Sequence, residues 1–166
     1  MSEATMVETQ APTSVSDDVL YEVVDGRIVE KPPMGVFQCF VAAWLVRLMN
    51  TSAEVNRLGR VVPELLFILD PARKLKRRPD VAFVGDARWA FTRRVPDGAP
   101  WDVVPDRAIE VISPSNIAGA VKKKIREYFR AGVARVWVVY PETLEVEDYD
   151  APTSVRILQV GAEIDV

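Results

Sequence analysis

Three residues in this chain have the type and the setting to do chemistry. Glu110 sits inside the apolar run Ala108-Ile109-Glu110-Val111-Ile112, where strand alternation places it on one face with Ala108 and Ile112. An ionised carboxylate there is costly unless it is paired, hydrogen-bonded or bound to a cation. Asp80 opens a second apolar run, residues 81–84, directly after Pro79. If the two strands are neighbours in a sheet, the acids approach one another, and like charges at close range favour a shared proton or a divalent metal. The chain has no histidine and one cysteine, Cys39. That count excludes an imidazole base, a Ser-His or Cys-His pair, a His-ligated zinc and an internal disulfide. Hard oxygen ligands without histidine point to magnesium or manganese over zinc.

The third residue is Lys124, in the string VKKKIREYFRAG at residues 121–132. At helical spacing Val121, Ile125, Tyr128 and Phe129 form an inward stripe. Lys124 borders that stripe on the Tyr128 side and Lys122 on the other, while Lys123, Arg126 and Arg130 point away. An ammonium so placed can stabilise negative charge developing on a phosphate. Just before Asp80 comes a basic turn, Arg73, Lys74, Lys76, Arg77 and Arg78, which would suit the positioning of phosphates beside a metal site.

Each of these has a plainer reading. Glu110 could be a structural acid paired to an arginine, Asp80 an ordinary turn acid, and the lysine run and basic turn solvated surface. Trp89 and Trp101 read as covers of the core, and Cys39 as a small core residue.

The elements that must position these groups follow from periodicity and turn chemistry. Residues 21–30, YEVVDGRIVE, carry two short apolar-rich runs around Asp25-Gly26, which predicts an edge hairpin. Beyond Pro32, Pro33 and Gly35, the residues Phe37, Phe40, Val41, Trp44, Leu45, Leu48 and Met49 recur three and four apart and predict a long helix buried along that face, ending near residues 56–59. Residues 61–69 and 80–84 read as an antiparallel pair joined by the basic turn. Residues 85–105, with three prolines, two glycines and two tryptophans, read as a long loop over the sheet. A strand at 107–112 is followed by Ser113-Pro114-Ser115-Asn116, N-cap chemistry for a helix closed by Gly132, and then by the buried strand 135–140. Strand, helix and strand make one parallel crossover. A terminal strand or hairpin completes an α/β domain, bordering on α+β, with a mixed central sheet.

A length of 166 residues is that of one domain, expected at 19–166 behind a polar, mobile arm at 1–18. With 49% apolar and 27% charged residues the composition is that of a compact folded chain. The net charge of −3 means that a polyanion would have to be met by local basic patches. No run approaches the roughly 18 apolar residues of a membrane span, and residues 1–18 lack a signal-type apolar core. No membrane partner and a cytoplasmic location are therefore expected.

Four strings in order, YEVVDGRIVE, RRPDVAFV, AIEVISPSN and KKKIREYFRAGVARVWVVYPE, resemble the Uma-type (Uma-two) family of restriction-endonuclease-like proteins, within the PD-(D/E)xK nuclease superfamily, over about residues 20–150. The resemblance implies a restriction-endonuclease-like fold, a mixed central sheet flanked by helices. It also implies a homodimeric endonuclease that hydrolyses nucleic-acid phosphodiesters, DNA foremost, with Mg²⁺ or Mn²⁺. In the family's pattern Asp80 matches the aspartate of the PD motif and Glu110 the acid of the following strand, both as metal ligands. The superfamily's lysine often lies two residues after that acid, where this chain has Ile112; Lys124 on the following helix is the match. Tyr128, one turn on, joins the basic turn among the expected nucleic-acid contacts. Glu22 matches the acid of the opening hairpin, as a further ligand or an orienting group. The chain departs from the pattern at Gln38, where members carry a histidine, and at Asn116 and Tyr140, where they carry acids. Those departures motivate an alternative: a catalytically impaired member that binds nucleic acid, or a structural homodimer.

Overall fold

The structure, a computed structural model, describes residues 19–55, 57–159 and 161–162. The arm expected at 1–18 lies outside the described residues. The chain opens with β1 (Tyr21–Val24) and β2 (Arg27–Glu30), an antiparallel hairpin. Asp25 and Gly26 turn it with φ of 51° and 77°, the left-handed pair that a two-residue hairpin turn requires. Then follow α1 (Val36–Val55), β3 (Gly59–Pro63), β4 (Phe67–Asp70), β5 (Leu75–Arg77), β6 (Val81–Gly85), β7 (Arg107–Val111), α2 (Ala118–Ala131), β8 (Arg135–Tyr140), β9 (Glu145–Ala151) and β10 (Ser154–Leu158).

Two sheets result. The larger runs β10-β9-β8-β7-β6-β3, and within it β7 and β8 pair in parallel across the α2 crossover while the other neighbours are antiparallel. The smaller, β2-β1-β5-β4, is antiparallel throughout. The expected run 61–69 divides between the two. At Glu64 the backbone enters the left-handed region, φ 41°, and the chain leaves the large sheet after β3 to begin the small one at β4. What reads as a basic connection is therefore the β4–β5 hairpin.

In its central strands β6, β7 and β8 the large sheet buries both faces, and alternation sorts its residues between them. Val61, Val81, Ile109, Val111, Trp137 and Val139 pack under α1 against Ala42, Met49 and Ala53. Ala82, Val84, Ala108, Val136 and Val138 face the other way, toward Ile125 and Tyr128 of α2 and Phe67, Leu69 and Leu75 of the small sheet. Trp89 and Trp101 of the long loop pack edge to face over this second cluster, with Trp101 stacked near Phe67.

Three packing expectations are corrected. In α1 the inward stripe is Gln38, Ala42, Met49 and Ala53, whereas Phe37, Phe40, Trp44 and Leu48 are exposed. Ala42 and Ala53 lie against the sheet, with Met49 buried beside them and Val41 and Leu45 packed at the flank. Cys39 is exposed as well. Against the expectation that no run approaches a membrane span, residues Val36–Ala53 are long and apolar enough to be one by length and composition, with Arg47 their only charged residue. Before α2, Asn116 does not cap the helix: its Oδ1 accepts from the Ser113 N–H and hydroxyl, and Ile117 stands at the N-cap without a side-chain bond. Gly132 closes the helix as expected, at φ 99°.

Asp148 of β9 ties the far half of the large sheet together. Its carboxylate accepts from Trp137 Nε1 at 3.0 Å, Arg135 Nη1 at 2.8 Å and Arg156 Nη2 at 2.7 Å, linking β8, β9 and β10. Burial raises its pKa, but the bonds from Arg156 and Arg135 outweigh burial and hold it below the ordinary aspartate value. A depressed folded-state pKa contributes stability at neutral pH that is lost as pH falls through that value. Asp148→Asn should lower stability by about 1–3 kcal/mol at pH 7. In urea unfolding, the gap from the parent should narrow as pH falls below the carboxylate range.

Candidate active site

The register of β6 and β7 brings the two acids together. Val81 pairs with Ile109 and Ala82 with Ala108, so continuing the antiparallel ladder by one residue sets Asp80 opposite Glu110, on the face that looks toward α2. Both side chains are buried. Asp80 Oδ2 accepts the N–H of Val111 at 2.7 Å, which fixes the carboxylate against β7.

Helix α2 supplies the partners of Glu110. Lys124 and Tyr128 are one turn apart and share a face. The Tyr128 hydroxyl donates to Glu110 Oε1 at 2.6 Å, and Lys124 Nζ lies 3.2 Å from Oε2 and 3.1 Å from Glu22 Oε1. Ile125, packed in the core between them in sequence, holds this face of the helix down. Burial is the largest influence on Glu110 and raises its pKa; Lys124 pulls it down, Asp80 pushes it up, and the balance stays above the usual carboxylate value. Burial works against the Lys124 charge too, but Glu110 and Glu22 outweigh it and raise its pKa. Tyr128 is pushed well up by burial and then by Glu110, so it stays a protonated donor.

The small sheet completes the wall. Val23 of β1 pairs with Lys76 of β5, which puts Glu22 and Arg77 side by side. Arg77 Nη1 donates to Glu22 Oε2 at 2.6 Å; its Nε donates to Glu127 Oε2 at 2.8 Å, and its Nη2 to the same oxygen. Glu22 Oε1 also accepts the Arg78 N–H at 3.0 Å. Burial raises the Glu22 pKa, but Lys124, Arg77 and the Arg78 N–H together hold it below normal. Glu22 is thus the acid that orients Lys124, itself fixed by Arg77.

The five cations of the basic turn do not form one patch. Arg73 and Lys74 are exposed at the β4–β5 turn, Lys76 is half-buried on the opposite face of β5 from Arg77, and Arg77 is buried among carboxylates. Arg78 is spent on main-chain carbonyls, those of Glu64 at 2.7 Å and Tyr21 at 3.2 Å. Tyr128 is likewise no surface contact, being fully buried against Glu110. Gln38 is buried and lines the same cavity as the acids, with Asn116 at its rim. Tyr140 lines a smaller neighbouring cavity, bonded to Glu147, its pKa pushed up to about 12 by burial and that carboxylate.

Sequence reasoning missed Lys31 altogether. It follows β2 and precedes Pro32-Pro33, and its Nζ reaches Asp80 Oδ1 at 2.7 Å and the Arg78 carbonyl at 3.0 Å. A lysine directly after the hairpin, where the chain must turn inward, is the only trace of this in the sequence. Glu127 was missed for the same reason that Arg77 was misplaced: helical spacing alone does not show that a charged partner is waiting inside.

Around these groups lies a cavity of about 440 Å³, lined by Glu22, Lys31, Asp80, Glu110 and Lys124 with Lys123 at its mouth. Among the described residues no three His, Cys, Asp or Glu gather around one point as a closed metal site. Two facing carboxylates nevertheless fit Mg²⁺ or Mn²⁺, because such ions take one or two carboxylates and complete their shell with water and phosphate oxygens.

Removing Arg77 tests the buried wall. Arg77→Met leaves Glu22 and Glu127 as unpaired buried acids and should cost about 3–5 kcal/mol in urea unfolding. Arg73→Ala, at the exposed turn, should change stability by no more than about 0.5 kcal/mol.

With this geometry in hand, comparison with known proteins gives a family and a fold. No curated protein matches the chain. A crystal structure described as that of a putative nuclease belonging to DUF820 from Anabaena variabilis superposes with a TM-score of 0.69 at 21% identity, covering 88% of this chain and 80% of that one. The likeness supports a restriction-endonuclease-like fold. Residues 8–166 match the family Uma2, described as putative restriction endonuclease. On that match over nearly its whole length, the chain belongs to the Uma2 family.

Proposed function

We propose that the chain is a metal-dependent endonuclease acting on DNA, with Asp80 and Glu110 as the residues that would hold Mg²⁺ or Mn²⁺. The observation that carries this reading is the buried Asp80–Glu110 pair with Lys124 bridging Glu110 and Glu22 at the wall of an open cavity. Bound there, such an ion supplies Lewis acidity toward a phosphodiester. The chain's own residues do the rest. Val111 N–H and Tyr128 O–H fix the two carboxylates, leaving little reorganisation at the moment of reaction. Lys124, kept charged by two acids, faces the cavity where negative charge would develop on a phosphate. Lys122, Lys123 and Arg126 are exposed along α2 and offer backbone phosphates a local basic strip, which a chain of net charge −3 needs.

A second reading, a member that binds nucleic acid without cutting it, is favoured by one specific contact, the Lys31 ammonium on Asp80. Incubation with plasmid DNA and with RNA in Mg²⁺ or Mn²⁺ separates the two. The nuclease reading expects metal-dependent cleavage that Asp80→Ala or Lys124→Met lowers by at least about 100-fold. Salt-sensitive binding with no cleavage under any of these conditions would replace it with the second reading.

We further infer that the expected homodimer forms across α1. Phe37, Phe40, Trp44 and Leu48 are 55–64% exposed on one face. A second copy of the same face would bury these four side chains, whose exposure together in one patch is unusual for a face left in water. Sedimentation should give a dimer for the parent and a monomer for Phe40→Asp/Trp44→Asp; a parent that is monomeric at all concentrations removes the inference.

A further inference from the structure

Lys31 has no task in the chemistry proposed above, yet it is among the most tightly held side chains of the site. Its own N–H donates to the Leu20 carbonyl at 2.8 Å, closing the β1–β2 hairpin, and Pro32 and Pro33 stiffen the chain on its way to α1. From its place at the hairpin's end the side chain, 9% exposed, runs inward until Nζ meets Asp80 Oδ1 at 2.7 Å. On its other side lies Glu64. Glu64 Oε1 is buried, has no hydrogen-bond donor, and stands 3.6 Å from Lys31 Nζ, just too far for a bond. The position of Glu64 is fixed by its backbone: φ is 41°, its N–H donates to the Asp80 carbonyl at 3.0 Å, and its carbonyl accepts from Arg78.

A buried carboxylate oxygen without a hydrogen-bond donor is costly, and one held in a loose ion pair with an ammonium bonded elsewhere offers that ammonium a second position. An ammonium held on Asp80 Oδ1 repels a divalent ion at the same carboxylate, so the two cations compete for it. We propose that Lys31 is a built-in counter-cation that competes with the divalent ion for Asp80, and that Glu64 receives its ammonium when the ion enters. This rests on the metal-site reading above. Without metal, Lys31 sits on Asp80, Lys124 between Glu110 and Glu22, and Arg77 between Glu22 and Glu127. When the ion loads, a movement of about one ångström carries Lys31 from one acid to the next, since its distance to Glu64 needs to shrink only to that of an ordinary N–H···O bond. The chain thereby sets its own threshold for metal.

Calorimetric titration of Mn²⁺ into the parent, Lys31→Met, Glu64→Gln and the double variant tests this without reference to cleavage, with Asp80→Asn as the control that should abolish binding. Lys31→Met should bind Mn²⁺ tighter by about tenfold or more. Glu64→Gln, which removes the receiving acid, should bind more weakly. In the Lys31→Met background Glu64→Gln should have no further effect, because there is no ammonium left to receive. A loss that persists in the double variant would make Glu64 a direct ligand and overturn the proposal, as would equal affinity in Lys31→Met and the parent. In the latter case binding abolished by Asp80→Asn would leave the metal site standing; no Mn²⁺ bound by the parent or by Lys31→Met removes the site and the proposal together. Thermal unfolding gives a second readout. Lys31→Met should melt below the parent in chelator and recover more on adding Mn²⁺. Lys31→Gln serves for the same comparisons if the methionine variant does not fold.

Discussion

Two carboxylates facing each other in the interior of a sheet set the terms for everything around them. Placing Asp80 and Glu110 on adjacent strands costs desolvation twice and repulsion once, and no apolar packing offsets that. The surrounding structure is a response in alternating charge: Lys31 on Asp80, Lys124 between Glu110 and Glu22, Arg77 between Glu22 and Glu127, and Lys123 beside Glu127. The links join residues on β1, β5, β7 and α2, so the chain of pairs ties the small sheet and α2 to the large sheet at one point.

This requirement explains the second sheet. The β1–β2 hairpin and β5 carry Glu22, Lys31 and Arg77, which are the groups the large sheet and α2 cannot provide from their own faces. Without the left-handed residue at Glu64 the chain would run straight on from β3, and these strands would have no place from which to reach inward. The apolar residues behind them, Phe67, Leu69 and Leu75, pack on the same cluster as Ala108 and Tyr128, so the wall is anchored in the core it closes.

Much of this was legible in the sequence, for definite physical reasons. A charged residue within an apolar strand is a strong signal, and it located Glu110; helical spacing placed Lys124 beside Tyr128 at the edge of a buried stripe. The Asp25-Gly26 turn, the crossover from β7 to β8 and the Gly132 stop follow from local backbone preferences. Glu22 came only from likeness to a family, since a glutamate in an edge hairpin is commonplace by itself. What could not be read were the partners. Arg77 looked like one more cation in a basic turn because nothing local distinguishes a buried arginine from a solvated one. Lys31 and Glu64 gain their meaning from each other across more than thirty residues of chain. In α1 Phe37, Phe40, Trp44 and Leu48 obey a helical period yet lie outward, while Met49, Val41 and Leu45 of the same expected stripe pack inward, because periodicity does not report which edge of a broad apolar stripe is pressed against the sheet.

The parallel pairing of β7 with β8 has one more consequence. A parallel neighbour requires a crossover, and here the crossover is the element that carries the lysine. The acids are held by the ladder of a sheet, whereas the cation rides on the connection between two of its strands. The two halves of the site therefore rest on separate mechanical supports. Lengthening or tilting α2 would retune the reach of the cation while leaving the spacing of the acids untouched.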